Sequence, residues 1–231
     1  MPGSAFFRLN GDTLDALGSG LDGAGNFDGG LSGVGEFVVG AGGEGADVAA
    51  TIYSGFDSNL FDGVAVDGSS FATVTFTTGT IGDLAGISVL GGFDFDGDGI
   101  GDVAVAVPNA ADEAGRVYVL YGQSQPLDGE RDLDDLGQGV TEIAVDGTDG
   151  FGASLAAADI DGDGIDELFI GEPEDGVAGA GVVHVFAGEA ANASASTLGT
   201  AWARLAGLTF GDQLGAALAA GDTNDDGIDD I

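Results

Sequence analysis

The sequence predicts an all-β chain, a β-propeller of four-stranded blades, of which this chain carries about three and a half repeats. Three observations predict it. An acidic loop recurs four times, starting at residues 28, 94, 159 and 222, so the copies lie 66, 65 and 63 residues apart. Short runs rich in Val and Ile, bounded by Gly or Asp, recur with it and read as strands, four to a unit. Several runs are apolar on both faces rather than alternating, so each sheet needs cover on both sides, as in blades stacked around an axis. A sandwich is the rival, but it does not account for a strict repeat of four strands.

Taken in order, residues 5–11, with Phe6, Phe7, Arg8 and Leu9, form the last strand of a preceding unit. Repeat units follow at about 12–79, 80–147, 148–207 and 208–231, the last incomplete, all within one propeller segment spanning 1–231. First strands are expected near residues 17–21, 84–90, 151–158 and 214–221, and second strands near 37–42, 103–108 and 168–173. Third strands fall near 49–55, 116–122 and 182–188, and fourth strands near 71–79, 142–147 and 202–207. Residues 123–139 and 189–200 read as variable loops between third and fourth strands.

The loop joining first and second strands carries the chemistry. Asp159-Ile160-Asp161-Gly162-Asp163-Gly164-Ile165-Asp166-Glu167 puts acids at positions 1, 3, 5 and 9. A hard cation such as Ca²⁺ takes six to eight oxygens. Asp159, Asp161 and Asp163 offer carboxylates, Ile165 its backbone carbonyl, and Glu167 both oxygens. Gly164 permits a sharp turn. The bland alternative is a solvated acidic turn, but acids packed this closely repel one another without a cation. Asp94, Asp96, Asp98, Ile100 and Asp102 repeat the pattern, as do Asp222, Asn224, Asp226, Ile228 and Asp230. A degraded copy at 28–36 keeps Asp28, Ser32 and Glu36, with Gly30 in place of one ligand, and is expected to bind metal weakly or not at all. An EF-hand needs its closing acid at position 12 and flanking helices. Here that position holds Val105 or Ile170, and strands flank the loops.

Composition bounds the rest. The 231 residues include 40 Asp and Glu against four Arg and no Lys, a formal net charge of −36. Such a chain repels nucleic acid and anionic membrane surfaces and attracts divalent cations. A salt-rich habitat is a second explanation of the acidity. With 46 Gly but only four Pro, the chain suits tight turns between short strands. The absence of Cys excludes disulfides, zinc thiolates and a cysteine nucleophile. No run approaches the roughly 18 apolar residues of a membrane span, and no export signal is visible in this segment. His184 is the single histidine; with no second His or Cys it reads as an ordinary strand residue. Asn192-Ala193-Ser194 is a formal glycosylation sequon, read as idle. No Ser-His-Asp set, phosphate loop or HExxH motif is present.

The order Phe151-Gly152, acidic loop, then Gly171-Glu172-Pro173 resembles the FG-GAP repeat. The second unit keeps its loop and Pro108 but has Leu84-Ala85-Gly86 at the start. That family builds the seven-bladed propeller of integrin alpha subunits and occurs in large secreted bacterial proteins and in a glycosylphosphatidylinositol-specific phospholipase D. The resemblance implies Ca²⁺ at residues 94–102, 159–167 and 222–230, an extracellular or cell-surface location, and an adhesive or recognition role toward a protein or glycan. It implies no enzyme in this segment; the alternative is a non-catalytic propeller part of a larger secreted phospholipase or polysaccharide lyase. Seven blades at about 64 residues each need roughly 450 residues, so the chain is expected to be an open arc from a larger ring.

Overall fold

The computed structural model describes residues 17–27, 36–41, 48–53, 72–77, 88–108, 114–124, 129–133, 136, 139–145, 150–175, 179–195 and 197–231. Among the described residues the regular structure is all β, apart from one 3₁₀ turn at Asn192–Ser194. The first sheet is an antiparallel meander of β1 (Leu17–Gly25), β2 (Glu36–Ala41), β3 (Val48–Tyr53) and β4 (Ala72–Thr77). The second runs through β5 (Val89–Phe93), β6 (Asp102–Val107) and β7 (Arg116–Leu120), leaves for β8 (Gly129–Asp132), and returns as β9 (Val140–Ile143). The third is β10 (Ser154–Ala158), β11 (Glu167–Glu172), β12 (Val182–Phe186) and β14 (Ala203–Ala206), while β13 (Thr197–Leu198) joins the second sheet.

The sheets stack face to face because their strands are apolar on both sides. On β6, Val103, Val105 and Val107 pack with Val38, Ala50 and Ile52 of the first sheet. Ala104 and Ala106 pack the opposite way, with Leu168 and Ile170 of β11. The two-residue period of a strand makes this division automatic. Gly152, at φ 94°, lies where the third unit meets the second; a Cβ there would sit 3.0 Å from Ala106 Cβ. A glycine meets both demands: a left-handed backbone and a close approach. The arrangement is propeller-like.

Two expectations change. Residues 123–139 and 189–200 are more than loops, since each contributes a strand that pairs in parallel with the outer edge of the preceding sheet. Val74–Thr77 of β4 face Gly129–Asp132 of β8, and Glu142 and Ile143 of β9 face Thr197 and Leu198 of β13. The buried Thr141 hydroxyl donates its one proton to Ala195 O (2.6 Å), with Asn192 O also within reach (3.0 Å), which ties the second strap down. Residues 214–221 form no strand; single bridges link Gly181 to Leu214 and Gly221 to Asp230. A strand needs a neighbour along its length, and only the two end residues find one here. The expected strand within 5–11 and the ligands Asp28 and Ser32 lie outside the described residues.

Candidate metal centres

Each acidic loop hangs from the neck of a hairpin. Phe93 pairs with Asp102, Ala158 with Glu167, and Gly221 with Asp230. Between those necks the backbone follows one hydrogen-bond pattern in all three copies. Asp159 Oδ1 accepts from Gly162 N–H (2.7 Å) and Asp163 N–H (3.1 Å), and Oδ2 from Gly164 N–H (2.9 Å). Asp94 does the same with Gly97, Asp98 and Gly99. Asp222 does so with Asp226 and Gly227. The third-position side chain accepts from the fifth residue's N–H, whether it is Asp96, Asp161 or Asn224. The fifth-position carboxylate accepts from the seventh residue, Ile100, Ile165 or Ile228.

Positions 1, 3 and 9 converge. Asp94, Asp96 and Asp102 bring one oxygen each to within 4.8 Å of one another, as do Asp159, Asp161 and Glu167. Asp98 and Asp163 stand outside those groups, as do Asp222 and Asp230 of the last loop. An all-oxygen donor set of this kind fits a hard cation.

Burial distinguishes the ninth position. Asp102 is fully buried, and desolvation pushes its carboxyl up to about 8, against the opposing pull of the Gly122 and Phe95 N–H groups. Glu167 is raised too, chiefly by burial and then by Asp161 and Asp163, although the Ile160 N–H (3.2 Å) opposes the shift. Burial and Asp98 raise Asp96. Asp222 moves the other way: the Gly227 N–H holds it below the usual carboxylate range.

The eighth position was missed in the sequence. Asp166 N–H donates to Asp94 O (2.9 Å), and Asp94 N–H donates back to Asp166 Oδ2 (2.8 Å). A residue next to one candidate ligand thus grips the first ligand of the preceding loop. Ile165 packs beside it so closely that a Cβ on Gly97 would lie 2.7 Å from Ile165 Cδ1. The next junction repeats only the backbone bond, from Asp229 N–H to Asp159 O (3.4 Å).

The degraded first copy takes a different register. Gly25 pairs with Glu36, as Phe93 does with Asp102. Phe27 N–H donates to Glu36 Oε2 (2.6 Å), as Phe95 N–H does to Asp102. Phe27 O accepts from Gln123 N–H just as Phe95 O accepts from Glu189 N–H. The first position is therefore Asn26, Asp28 is the third, and the loop is two residues longer. The likeness of Asn26-Phe27-Asp28-Gly29 to Asp94-Phe95-Asp96-Gly97 is the signal that gives this register.

His184 is also more than an ordinary strand residue. It lies buried, with Nε2 2.7 Å from Glu172 Oε2 and its ring T-shaped against Phe151, 5.4 Å between centroids. Asn192 of the sequon is buried and donates to Ala187 O (2.9 Å), which is incompatible with a glycan on that amide. Among the described residues no helix is long and apolar enough to cross a membrane.

The family model described as the FG-GAP repeat matches residues 85–120 and 151–186. Among curated proteins, integrin alpha-PS2 of Drosophila melanogaster is 34% identical over 143 residues, covering 56% of this chain and 10% of that protein. Phosphatidylinositol-glycan-specific phospholipase D of Rattus norvegicus is 35% identical over 95 residues, covering 38% of this chain and 11% of that protein. The matched stretch is thus about a tenth of either relative's length.

Proposed function

We propose that this FG-GAP repeat protein is a calcium-stabilised propeller segment of a secreted or cell-surface protein, serving adhesion or recognition rather than catalysis. The observation that carries the reading is the convergence of positions 1, 3 and 9 in two loops a repeat apart. Buried Asp102 and Glu167 strengthen it, because a carboxylate taken out of water needs either a proton or a cation. Asp94, Asp96, Asp98 and Asp102 would hold one ion with the Ile100 carbonyl, and Asp159, Asp161, Asp163 and Glu167 another with that of Ile165. Asp222, Asn224, Asp226, Ile228 and Asp230 would hold a third. Bound Ca²⁺ would supply the positive charge that lets these carboxylates stay ionised side by side. An ion bound only by the folded state at 100 times its Kd adds about 2.7 kcal/mol. The test is calorimetry with chelator and with excess Ca²⁺ at physiological salt. The expected result is a melting temperature several degrees lower per vacated site; an unchanged value would overturn the reading. Repeating the titration in high monovalent salt separates specific binding from general salt adaptation.

The integrin relative supports the extracellular setting and the adhesive role, toward a protein or glycan ligand. The phospholipase relative supports a second reading, in which the same segment is a non-catalytic part of a larger secreted enzyme.

A further inference from the structure

We propose that Glu172, Asp175 and His184 form a second, chemically different metal site, one that takes a transition-metal dication of the Zn²⁺ class. The three residues offer ligand atoms within 4.8 Å of one another, and Glu172 and His184 are buried. Strand register builds the site. His184 on β12 lies opposite Ile170 on β11 and opposite Arg204 on β14. Glu172 is two residues beyond Ile170, so it shares that face. Asp175 is held over the sheet end by its own turn: its N–H donates to Glu172 O (3.3 Å), and its carbonyl accepts from Gly181 N–H (2.8 Å).

The neighbouring sheet shows that the fold does not require these groups. There Val107 ends β6 where Glu172 ends β11, and Tyr118 sits opposite Val105 where His184 sits opposite Ile170. The third sheet has exchanged an apolar residue and a tyrosine for a buried acid and an imidazole. Burying a carboxylate costs several kcal/mol unless it is partnered.

The donor set differs from the acidic loops in kind. One imidazole nitrogen and two carboxylates suit a borderline-soft ion, whereas oxygen-only loops suit a hard one. Around a tetrahedral zinc the donors stand roughly 3.3 Å apart, given bonds of about 2.0–2.2 Å. Rotation of the Asp175 and Glu172 side chains spans the remaining gap. The ion would take the place of the proton between His184 Nε2 and Glu172 Oε2, with the imidazole proton on Nδ1. Arg204, ion-paired with Asp175 Oδ2, is the outer partner that orients this carboxylate. Asp175 is only partly buried, which leaves an approach from solvent.

His184 is the only histidine in the chain, so its ring signals report on this site alone. The experiment adds Zn²⁺ to the ¹⁵N-labelled chain with Ca²⁺ in excess to occupy the acidic loops. The expected result is a new set of His184 imidazole signals, complete at one equivalent of Zn²⁺. Glu172→Gln and, at the more exposed turn, Asp175→Asn should each weaken that transition at least tenfold. Unchanged ring signals at one equivalent would overturn the site, and an unweakened transition in a folded Asp175→Asn chain would overturn the three-donor assignment. The calcium reading stands or falls separately.

Discussion

Phe151 and Leu214 open the equivalent segments of two copies of one repeat, yet Phe151 is fully buried and Leu214 is 37% exposed. The residues after them diverge in the same way. Leu155 is buried and Leu218 is only partly so; Glu167 is buried and the loop at 222–228 is open to solvent. Even so, Asp159 and Asp222 cap their loops with the same backbone N–H groups. The loop's shape is therefore local, made by its own Asp and Gly residues. Its electrostatics are borrowed, because the ninth-position acid becomes desolvated only when sheets enclose it. One sequence motif thus yields loops of one geometry with different proton affinities.

The largest effect should come from those two positions themselves. Phe151→Ala should destabilise by about 3–5 kcal/mol, as large-to-small core changes do. Leu214→Ala should cost about 1 kcal/mol or less, as changes at partly exposed positions do. Denaturant melts of the two variants would dissolve the contrast if the costs came out equal.

The pH dependence sharpens it next. Asp102 has a folded value raised to about 8 from an ordinary 3.8. In the metal-free chain its contribution is fully present below the ordinary value and is lost as pH rises toward 8. Cation binding must displace that proton, so affinity at 94–102 should rise about tenfold per pH unit up to pH 8. The loop at 222–230, with Asp222 shifted downward, should show no such slope in this range. Calorimetric titrations of variants that each retain one loop, run from pH 5.5 to about 8.5, would measure both.

Asp166→Ala tests whether neighbouring loops are tied together. Loss of its bond to the Asp94 N–H should cost about 1 kcal/mol and speed hydrogen exchange at that amide. Asp229→Ala should change little, since the recorded bond at that junction uses only the backbone. The smallest effect concerns Asp225, which sits at φ 60° where the other loops have Gly97 and Gly162. Asp225→Gly should stabilise by about 0.5 kcal/mol or less, because Asp tolerates the left-handed region at modest cost.

The period, the strands within it and the acidic loops were legible because each loop position demands a particular residue: Asp to accept N–H groups, Gly to turn. Asp166 was not legible, since one more acid in an acid-rich loop carries no mark of the backbone it grips. His184 and Glu172 lie twelve residues apart, and only strand register makes them neighbours. The register of the first loop misled because its ends are fixed by the hairpin neck, not by its first aspartate. The fifth strands were hidden for another reason. Gly129-Glu130-Arg131-Asp132 has poor strand propensity, and it becomes a strand only because β4 offers a free row of backbone groups.

Those parallel straps impose a direction on assembly. Val74 meets Gly129, and Glu142 meets Thr197, so the rims of the first two sheets are closed by chain made 55 residues later. A ribosome or an export channel delivers the chain from its N-terminus, so each blade emerges with a sticky margin that only its successor can seal. Construction then runs like overlapping roof tiles, with the newest course always the vulnerable one. An interruption at any point leaves a single unsealed margin, and a chaperone would have one place to stand guard.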